Sequence, residues 1–317
     1  MLHAAVTGEL SRGWREAQGD ELEDARHLLT HILNERRARW AARGKKGKYA
    51  EPKGPDVAGL PELPQGWVWA SLEQLSWDSS YGTSIKCGYE NTGQPVMRIP
   101  NVAKGVISLE DVKFAPEEAK LSSNEALASG DLLIIRTNGS RNLLGRSALA
   151  LDSIKSDTYF ASYLIRFRLA SNSQLHSWIA SVWHSHHVRQ WMENNAASSA
   201  GQHNISVGLL NELQLPLPSL PEQSYIVSEV ERRLSILANV EATVEAELKR
   251  AESTRQGILR RAFAGQLVPQ DAADEPASVL LERIQAERLA AGAAAVRASG
   301  KRGRKAKWPG EQVLLAE

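Results

Sequence analysis

The chain has 317 residues, of which 42% are hydrophobic and 24% are charged, and its formal net charge is +1. This length allows one large domain or two modest ones, and the composition is ordinary for a soluble protein. Cys87 is the only cysteine, which excludes an intrachain disulfide and a cysteine zinc site. Because no segment resembles a signal peptide or a membrane span, we expect a cytoplasmic protein.

A short motif near the start of the chain occurs again near its end. The first copy is AVTGEL at 5–10, followed by LLTHILNER at 28–36, and the second is AFAGQL at 262–267, followed by LLERIQAER at 280–288. The two glycines are 257 residues apart (265 − 8), which is far too long for a solenoid repeat. We interpret the copies as a scaffold that recurs on both sides of a separate domain.

Residues 1–42 form the first scaffold segment. Apolar residues at helical spacing predict a helix over 21–42 that Gly44 ends. Residues 43–63 carry Gly, Lys and Pro without periodicity and are predicted to be a linker. From Arg36 to Lys53 there are eight basic residues and one acid, which could contact phosphates or could be a solvated surface. The sequence leaves these two alternatives open.

Residues 64–218 are predicted to form one domain of mixed α+β fold, since short apolar runs alternate there with Gly, Asn, Asp and Ser. Its length of about 150 residues is usual for a domain. The predicted strands are 96–99, 106–109, 132–135 and 163–167. One helix is predicted over 174–193 from the apolar face formed by Leu175, Ile179, Val182, Trp183 and Trp191.

Residues 219–292 are predicted to contain a long helix over 222–264, which Pro221 opens and Gly265 ends, and a second helix over 276–291. A heptad repeat in the long helix favours a coiled coil. Its apolar seam consists of Val227, Val230, Leu234, Leu237, Val244, Leu248, Ala251 and Ile258. Because the chain has one such helix, we expect the partner helix to come from another chain, most simply an antiparallel second copy. Residues 293–317 are predicted to be a basic, disordered tail.

Two clusters of polar residues lie in predicted turns of the central domain. The first consists of Arg136, Asn138, Ser140, Arg141 and Asn142, and the second of Gln202, His203 and Asn204. Arg and Asn side chains suit guanine and adenine edges, which makes these clusters candidates for DNA contact. The alternatives are a capped β-turn for the first cluster and a loop that fixes Ile205 in the core for the second. Lys86, Arg98 and Lys104 are candidates for phosphate contact.

Catalytic signals are poor. The sequence contains no phosphate-binding loop and no adenine-methylation motif. The triplet from Asp111 to Lys113 could end a nuclease motif, but no upstream acid frames it. His184, His186 and His187 could suggest a metal site, yet a surface or DNA-facing helix is the favoured interpretation. We predict a chain without a catalytic or metal site.

The order and spacing of several motifs resemble the specificity subunits of type I restriction–modification systems. These motifs are LPQGW at 63–67, RIPNV at 98–102, GDLL at 130–133, RTNGS at 136–140, QHNIS at 202–206, LPLP at 215–218, PEQ at 221–223, IV at 226–227 and AFAGQL at 262–267. The resemblance extends over nearly the whole chain up to about residue 290.

Members of this family usually carry two target-recognition domains separated by two long helices, and each domain recognises one half of a split DNA site. The resemblance implies a non-catalytic, DNA-binding subunit. Modification subunits would supply methylation from S-adenosylmethionine, and a restriction subunit would supply ATP-driven, magnesium-dependent cleavage, so no cofactor is expected on this chain. With one recognition domain, the sequence resembles a half-length subunit that forms a homodimer or pairs with another specificity chain. The alternative is an inactive fragment or recombination cassette; a lone nuclease is less favoured.

Overall fold

The computed structural model describes residues 1–44, 47–155, 157–170, 172–199, 201–269, 271 and 273–299. Contacts divide the chain into two compact units, Met1–Ala238 and the part from Asn239 onward. None of the helices in these ranges combines the length and apolar character that a membrane crossing needs. The predicted tail beyond residue 299 lies outside the described residues.

The first unit begins with three helices, α1 (Leu2–Val6), α2 (Arg12–Gln18) and α3 (Ala25–Ala42). The predicted helix over 21–42 starts at Ala25 because Asp24 caps it, its carboxylate accepting a hydrogen bond from the backbone N–H of Arg26 at 2.8 Å. Helices α1 and α2 were not predicted, since they are too short for a periodic pattern. Ala5, Ala25 and Ile32 are buried, so this segment belongs to the main hydrophobic core.

Short strands make up most of the region between residues 68 and 217. They are β1 (Val68–Ser71), β2 (Ser76–Tyr81), β3 (Pro95–Met97), β4 (Lys113–Phe114), β5 (Asp131–Ile135), β6 (Thr137–Asn138), β7 (Ser147–Leu149), β8 (Tyr159–Phe160), β9 (Leu164–Leu169), β10 (Ala197–Ser199), β11 (Gln202–Asn204) and β12 (Gln214–Leu217). The central antiparallel sheet has the order β2-β9-β5-β7. Smaller sheets have the orders β4-β3-β8 and β10-β11-β6, and β1 pairs with β12.

Four helices accompany these strands, α4 (Ile99–Val102), α5 (Ser173–Trp183), α6 (His186–Asn195) and α7 (Val207–Asn211). The single helix predicted over 174–193 is therefore wrong. The helix is interrupted at Ser185. The buried side chain of Ser185 accepts a hydrogen bond from the N–H of Val188 and so caps the start of α6. The apolar face continues across the break, because Leu175, Ile179 and Val188 are all buried in the same core.

The strand predictions had mixed outcomes. The apolar runs at 132–135 and 163–167 are confirmed as β5 and β9, which pair directly in the central sheet. The run at 96–99 is a strand only to Met97, because Ile99 starts α4. The strand predicted over 106–109 is wrong. This segment is a loop after α4 in which Val106 and Leu109 are exposed and Ser108 N–H donates to the Asn101 carbonyl at 2.9 Å.

The long helix α8 (Leu220–Phe263) and a further helix α9 (Ala277–Ser299) follow. The predicted helix over 222–264 is confirmed, and the one over 276–291 is confirmed but extends to Ser299. The disordered tail predicted from residue 293 is therefore wrong for residues 293–299, which are helical. In the first turns of α8 the side chains of Glu222, Gln223, Ile226 and Val230 are buried. Residues 231–263 of the helix are exposed.

Candidate nucleic-acid interface

The fold joins the two polar clusters that the sequence separates by about 65 residues. Strand β6 pairs antiparallel with β11, which places His203 opposite Asn138 and Asn204 opposite Thr137. The Thr137 hydroxyl donates to the Gln202 side-chain oxygen at 3.3 Å. The N–H of Ile205 donates to the Arg136 carbonyl at 2.9 Å, and Ile205 is buried. The second cluster therefore fixes Ile205 in the core and also stands beside the first cluster.

Tyr81, at the end of β2, completes this surface. The Arg136 guanidinium carbon lies 4.8 Å from the centre of the Tyr81 ring, within the range of a cation–π contact. The Tyr81 hydroxyl accepts a hydrogen bond from the N–H of Val207 at 3.1 Å, and Arg136 donates to the Ser162 carbonyl at 3.2 Å. Sequence reasoning missed Tyr81. Its one signal was an exposed aromatic residue at the end of a strand, which is common at structural positions too.

We call this region the recognition surface. It consists of Tyr81, Arg136, Asn138, Ser140, Arg141, Asn142, Tyr163, Gln202, His203 and Asn204. Tyr81 and Tyr163 are 43% and 56% exposed, which makes large aromatic faces accessible at its edge. Two of its buried polar atoms, Nε of Arg136 and Nδ1 of His203, have no hydrogen-bond partner within the described residues.

The backbone of the turn after β6 is held by hydrogen bonds, whereas most of its side chains are exposed. Asn138 accepts a hydrogen bond from the N–H of Ser140 at 2.7 Å, the capped turn that was the structural alternative for this residue. Arg189 donates to the Arg141 carbonyl at 2.6 Å, and Arg146 donates to the Asn142 carbonyl at 2.8 Å. The side chains of Ser140, Arg141 and Asn142 are exposed. Two arginines thus hold the loop while its own polar side chains point away from the protein core.

The three candidates for phosphate contact lie in different surroundings. Lys86 and Lys104 are exposed, and Lys104 borders a cavity of about 380 Å³ together with Asn142 and Arg146. Arg98 is instead held in an ion pair within the protein. It donates to the Asp111 carboxylate at 3.0 Å and to the Asp111 carbonyl at 2.7 Å.

Asp111, the first residue of the nuclease-like triplet, is held by hydrogen bonds from two side chains. Besides Arg98, Tyr89 donates its hydroxyl hydrogen to the carboxylate, and this bond is the main reason why the pKa of Asp111 is lowered. Asp111 also adopts a left-handed backbone with φ of 54°. These contacts give the triplet a structural role in the loop between α4 and β4.

The three histidines of the α5–α6 junction do not converge. His184 and His186 are exposed, and His187 contacts the Gln214 carbonyl through Nε2 at 3.1 Å. Across the described residues, no group of three or more His, Cys, Asp or Glu side chains is arranged to hold a metal ion.

The coiled-coil seam divides into two parts. Val230 is buried and Val227 packs against the main core of the first unit, so these two positions are used within the chain. The remaining seam residues, Leu234, Leu237, Val244, Leu248, Ala251 and Ile258, are exposed. Leu248 is 65% exposed, an unusual position for a leucine unless a partner covers it.

These features define a class of protein, a mixed α+β domain that continues into a long helix with an exposed apolar seam. No family model matches the chain. It is 30% identical over 235 residues to the StySPI type I restriction enzyme specificity subunit of Salmonella potsdam, which covers 72% of this chain and 50% of the relative. It is 31% identical over 239 residues to the EcoKI specificity subunit of Escherichia coli K12, which covers 72% and 51% respectively.

Among solved structures, the chain resembles one described under complex assembly and conformational transition of the type I R-M system, at 22% identity and a TM-score of 0.48. This likeness covers 82% of the chain and 60% of that structure. The chain belongs to the family of type I restriction enzyme specificity subunits. It spans about half the length of the curated relatives that it matches.

Proposed function

We propose that this chain is a non-catalytic, sequence-specific DNA-binding specificity subunit that recognises one half-site through its recognition surface. The observation that carries the proposal is the pairing of β6 with β11, which brings the two polar clusters together beside Arg136 and Tyr81. Arg141 suits the acceptors of guanine, and Asn142 and Gln202 suit adenine, in the major groove of a DNA duplex. The anchoring of the loop backbone by Arg146 and Arg189 lowers the entropic cost of ordering these side chains on binding.

The domain assignment is part of this proposal. Residues 64–218 form the target-recognition domain, 1–42 and 219–292 are the scaffold around it, 43–63 is the linker, and 293–317 is a basic tail. Modification subunits that carry S-adenosylmethionine, and a restriction subunit that uses ATP and magnesium, assemble on the scaffold. The complex acts on DNA in the cytoplasm.

The scaffold copies support a role in assembly. Each copy ends a helix at a glycine with positive φ, 71° at Gly8 and 66° at Gly265. In each copy the glycine N–H donates to the carbonyl of an alanine three residues earlier, at 3.3 Å for Gly8 and 3.0 Å for Gly265. The first copy is packed, since Ala5 is 1% exposed, whereas Phe263 of the second copy is 89% exposed. The second copy therefore has apolar surface available for a partner.

Homodimerisation is also part of the proposal. A seam of exposed apolar residues on a helix is stabilised when a second helix covers it, and the seam from Leu234 to Ile258 is exposed. A second copy of this chain, packed antiparallel along α8, would cover both seams with one interface. Two recognition surfaces would then bind two half-sites of opposite orientation.

Selection from randomised DNA tests the proposed recognition. The full chain with its modification subunit is incubated with a library of random duplexes, and bound DNA is sequenced. The proposal predicts enrichment of a short motif, and predicts that Asn142→Ala changes base preference within it. The matched control Asn124→Ala, at an exposed asparagine outside the recognition surface, leaves the motif unchanged. The absence of any enriched motif, or identical motifs for wild type and Asn142→Ala, would contradict the assignment.

A further inference from the structure

A second surface of the first unit has the properties of a binding site for an anion. A cavity of about 290 Å³ lies between the C-terminal half of α3 and the start of β2. We call it the basic pocket. Its cationic lining is Arg36, Arg39, Arg43 and Lys48, and its aromatic lining is Trp40, Tyr49 and Trp77. These residues include part of the basic run at 36–53 whose role the sequence left open.

The acids that line the basic pocket are already paired. Glu73 lies 3.8 Å from Arg36 and accepts a hydrogen bond from the Lys53 N–H at 3.2 Å. Asp78 is bound to the buried Arg166 at 2.9 Å. Arg43 and Lys48 are exposed and form no ion pair with a described acid. The pocket therefore carries surplus positive charge, which favours an anionic ligand.

The walls of the basic pocket are fixed. Arg36 donates to the Glu73 carbonyl at 2.7 Å and to the Ser76 carbonyl, which ties α3 to the start of β2. The Arg39 guanidinium carbon lies 4.8 Å from the Trp77 ring centre, and the Trp40 and Tyr49 rings lie 5.6 Å apart. The hydroxyl oxygen of Tyr49 is buried and has no hydrogen-bond partner within the described residues.

The basic pocket is connected to the recognition surface by two elements. Strand β2 begins at the pocket, with Trp77 in its lining, and ends at Tyr81. The four residue steps from Trp77 to Tyr81 span about 13 Å at roughly 3.3 Å per residue. Helix α7 makes the same connection, because the N–H of Val207 donates to Tyr81 and Asn211 lines the pocket.

We propose that the basic pocket binds backbone phosphates of the DNA that flanks the half-site. This inference rests on the proposed function, because it needs DNA at the recognition surface. Arg43 and Lys48 contact the phosphates directly, and Arg36 and Arg39 hold the wall behind them. Contacts of this kind position the protein on the duplex and add affinity without sequence preference.

The salt dependence of DNA binding provides the test. Binding of the full chain, together with its modification subunit, to a fluorescent 30-base-pair duplex of mixed sequence is measured by anisotropy over a series of salt concentrations. Each phosphate contact contributes about 0.9 to the slope of log affinity against log salt. The double variant Arg43→Gln/Lys48→Gln is expected to lower the magnitude of that slope by about 1.8. It should also weaken binding to a second, unrelated duplex by the same factor.

Two control variants separate the site from general effects of charge. Lys120→Gln/Lys155→Gln removes the same charge from exposed lysines outside both surfaces and should leave the slope within error of the wild type. Arg43→Lys keeps the charge and should keep the slope. Melting temperatures of all variants are compared, and an unfolded double variant is replaced by the single variants Arg43→Gln and Lys48→Gln, each expected to lower the slope by about 0.9.

The outcomes are distinguishable. If the wild type binds the duplex and the double variant has an unchanged slope, the inference is wrong and the proposed function stands. If the wild type binds no DNA, both fail. Tripolyphosphate is tested as a free anion in parallel. If it binds the wild type but not the double variant, while the DNA slope is the same in both, the occupant is a free polyphosphate and the DNA assignment is overturned.

Discussion

Trp67 and Glu222 lie 155 positions apart in the chain, and the indole N–H of Trp67 donates a hydrogen bond to the Glu222 carboxylate at 2.8 Å. The same carboxylate accepts from the Ser11 hydroxyl at 2.6 Å and from the Arg15 guanidinium at 2.5 Å. Glu222 is only 1% exposed. One buried charge therefore joins the first scaffold copy, the entry to the central domain and the first turn of α8.

Removing this carboxylate should destabilise the first unit strongly. Glu222→Ala leaves the partly buried Arg15 charge and the Trp67 N–H without their acceptor, and breaking a buried pair in this way costs about 3–5 kcal/mol. Glu222→Gln keeps an acceptor and should cost less. Denaturant unfolding followed by tryptophan fluorescence measures the loss. Glu231→Gln, at an exposed position of the same helix, is the control, and a loss as large as that of Glu222→Ala would refute the account.

Replacing Gly8 should destabilise the fold for two reasons, its left-handed backbone conformation and the lack of space for a side chain. Its φ is 71°, and an added Cβ would lie 2.5 Å from Cγ of Pro64. Gly8→Ala is expected to lower the free energy of unfolding by about 2–4 kcal/mol, the sum of a left-handed backbone and overpacking. Gly44, just after the end of α3, has φ of 60° and open space around it, so Gly44→Ala should cost only about 1–2 kcal/mol. Equal losses for the two variants would show that the contact with Pro64 does not matter.

Arg98 should have a structural role, and Lys104 should have a role in DNA binding. Arg98→Gln removes the ion pair and the carbonyl contact with Asp111, so we expect reduced thermal stability and an unchanged salt slope for DNA binding. Lys104→Gln should leave stability intact and lower the slope by about 0.9, the value for one phosphate contact. Thermal melts and salt-dependent anisotropy give both readouts, and the reverse pattern would contradict the assignment.

Acidification should weaken the fold through His176. Burial lowers the pKa of this side chain below its ordinary 6.5, and Nε2 lies 2.7 Å from the Ala170 carbonyl. The unfolded chain therefore takes up a proton near pH 6.5 while the folded chain does not. The contribution of His176 to the free energy of unfolding should therefore be complete above this pH. It should decrease as the pH falls toward the folded-state pKa.

Comparison of variants isolates this effect. His176→Gln cannot titrate, so its free energy of unfolding should change less between pH 7 and pH 5.5 than that of the wild type. The exposed His186 serves as the matched control, and His186→Gln should follow the wild-type curve. Parallel curves for wild type and His176→Gln would rule out His176 as the source.

The sequence predicted the parts of the fold whose signal is local. The heptad repeat of α8 and the apolar runs of β5 and β9 are each contained in one continuous segment, and all three elements are present. The run at 106–109 is also apolar, but nothing in the sequence shows that Val106 is exposed. The break at Ser185 was missed because a single capping hydrogen bond outweighs an apolar face that continues past it.

Most residues of the candidate surface could be predicted individually, but their proximity in the fold could not. The pairing of β6 with β11 joins segments about 65 residues apart, and a non-local pairing of two short strands leaves no pattern in sequence. For the same reason Tyr81 could not be connected to Arg136, nor could α3 be placed beside β2. Arg98 was assigned to phosphate because its charge is visible in the sequence, whereas its partner Asp111 becomes apparent only in the fold.

The central proposal is that this chain directs DNA modification as a homodimeric specificity subunit, and methylation mapping tests it most directly. A bacterium without adenine methylation expresses the chain with its modification subunit, and long-read sequencing locates methylated adenines. The account predicts a split, symmetric methylated site, and predicts that charged substitutions in the seam, such as Leu237→Glu/Leu248→Glu, abolish methylation. An asymmetric site would contradict the homodimer. No methylation, with a modification subunit that is active beside another specificity chain, would contradict the function itself.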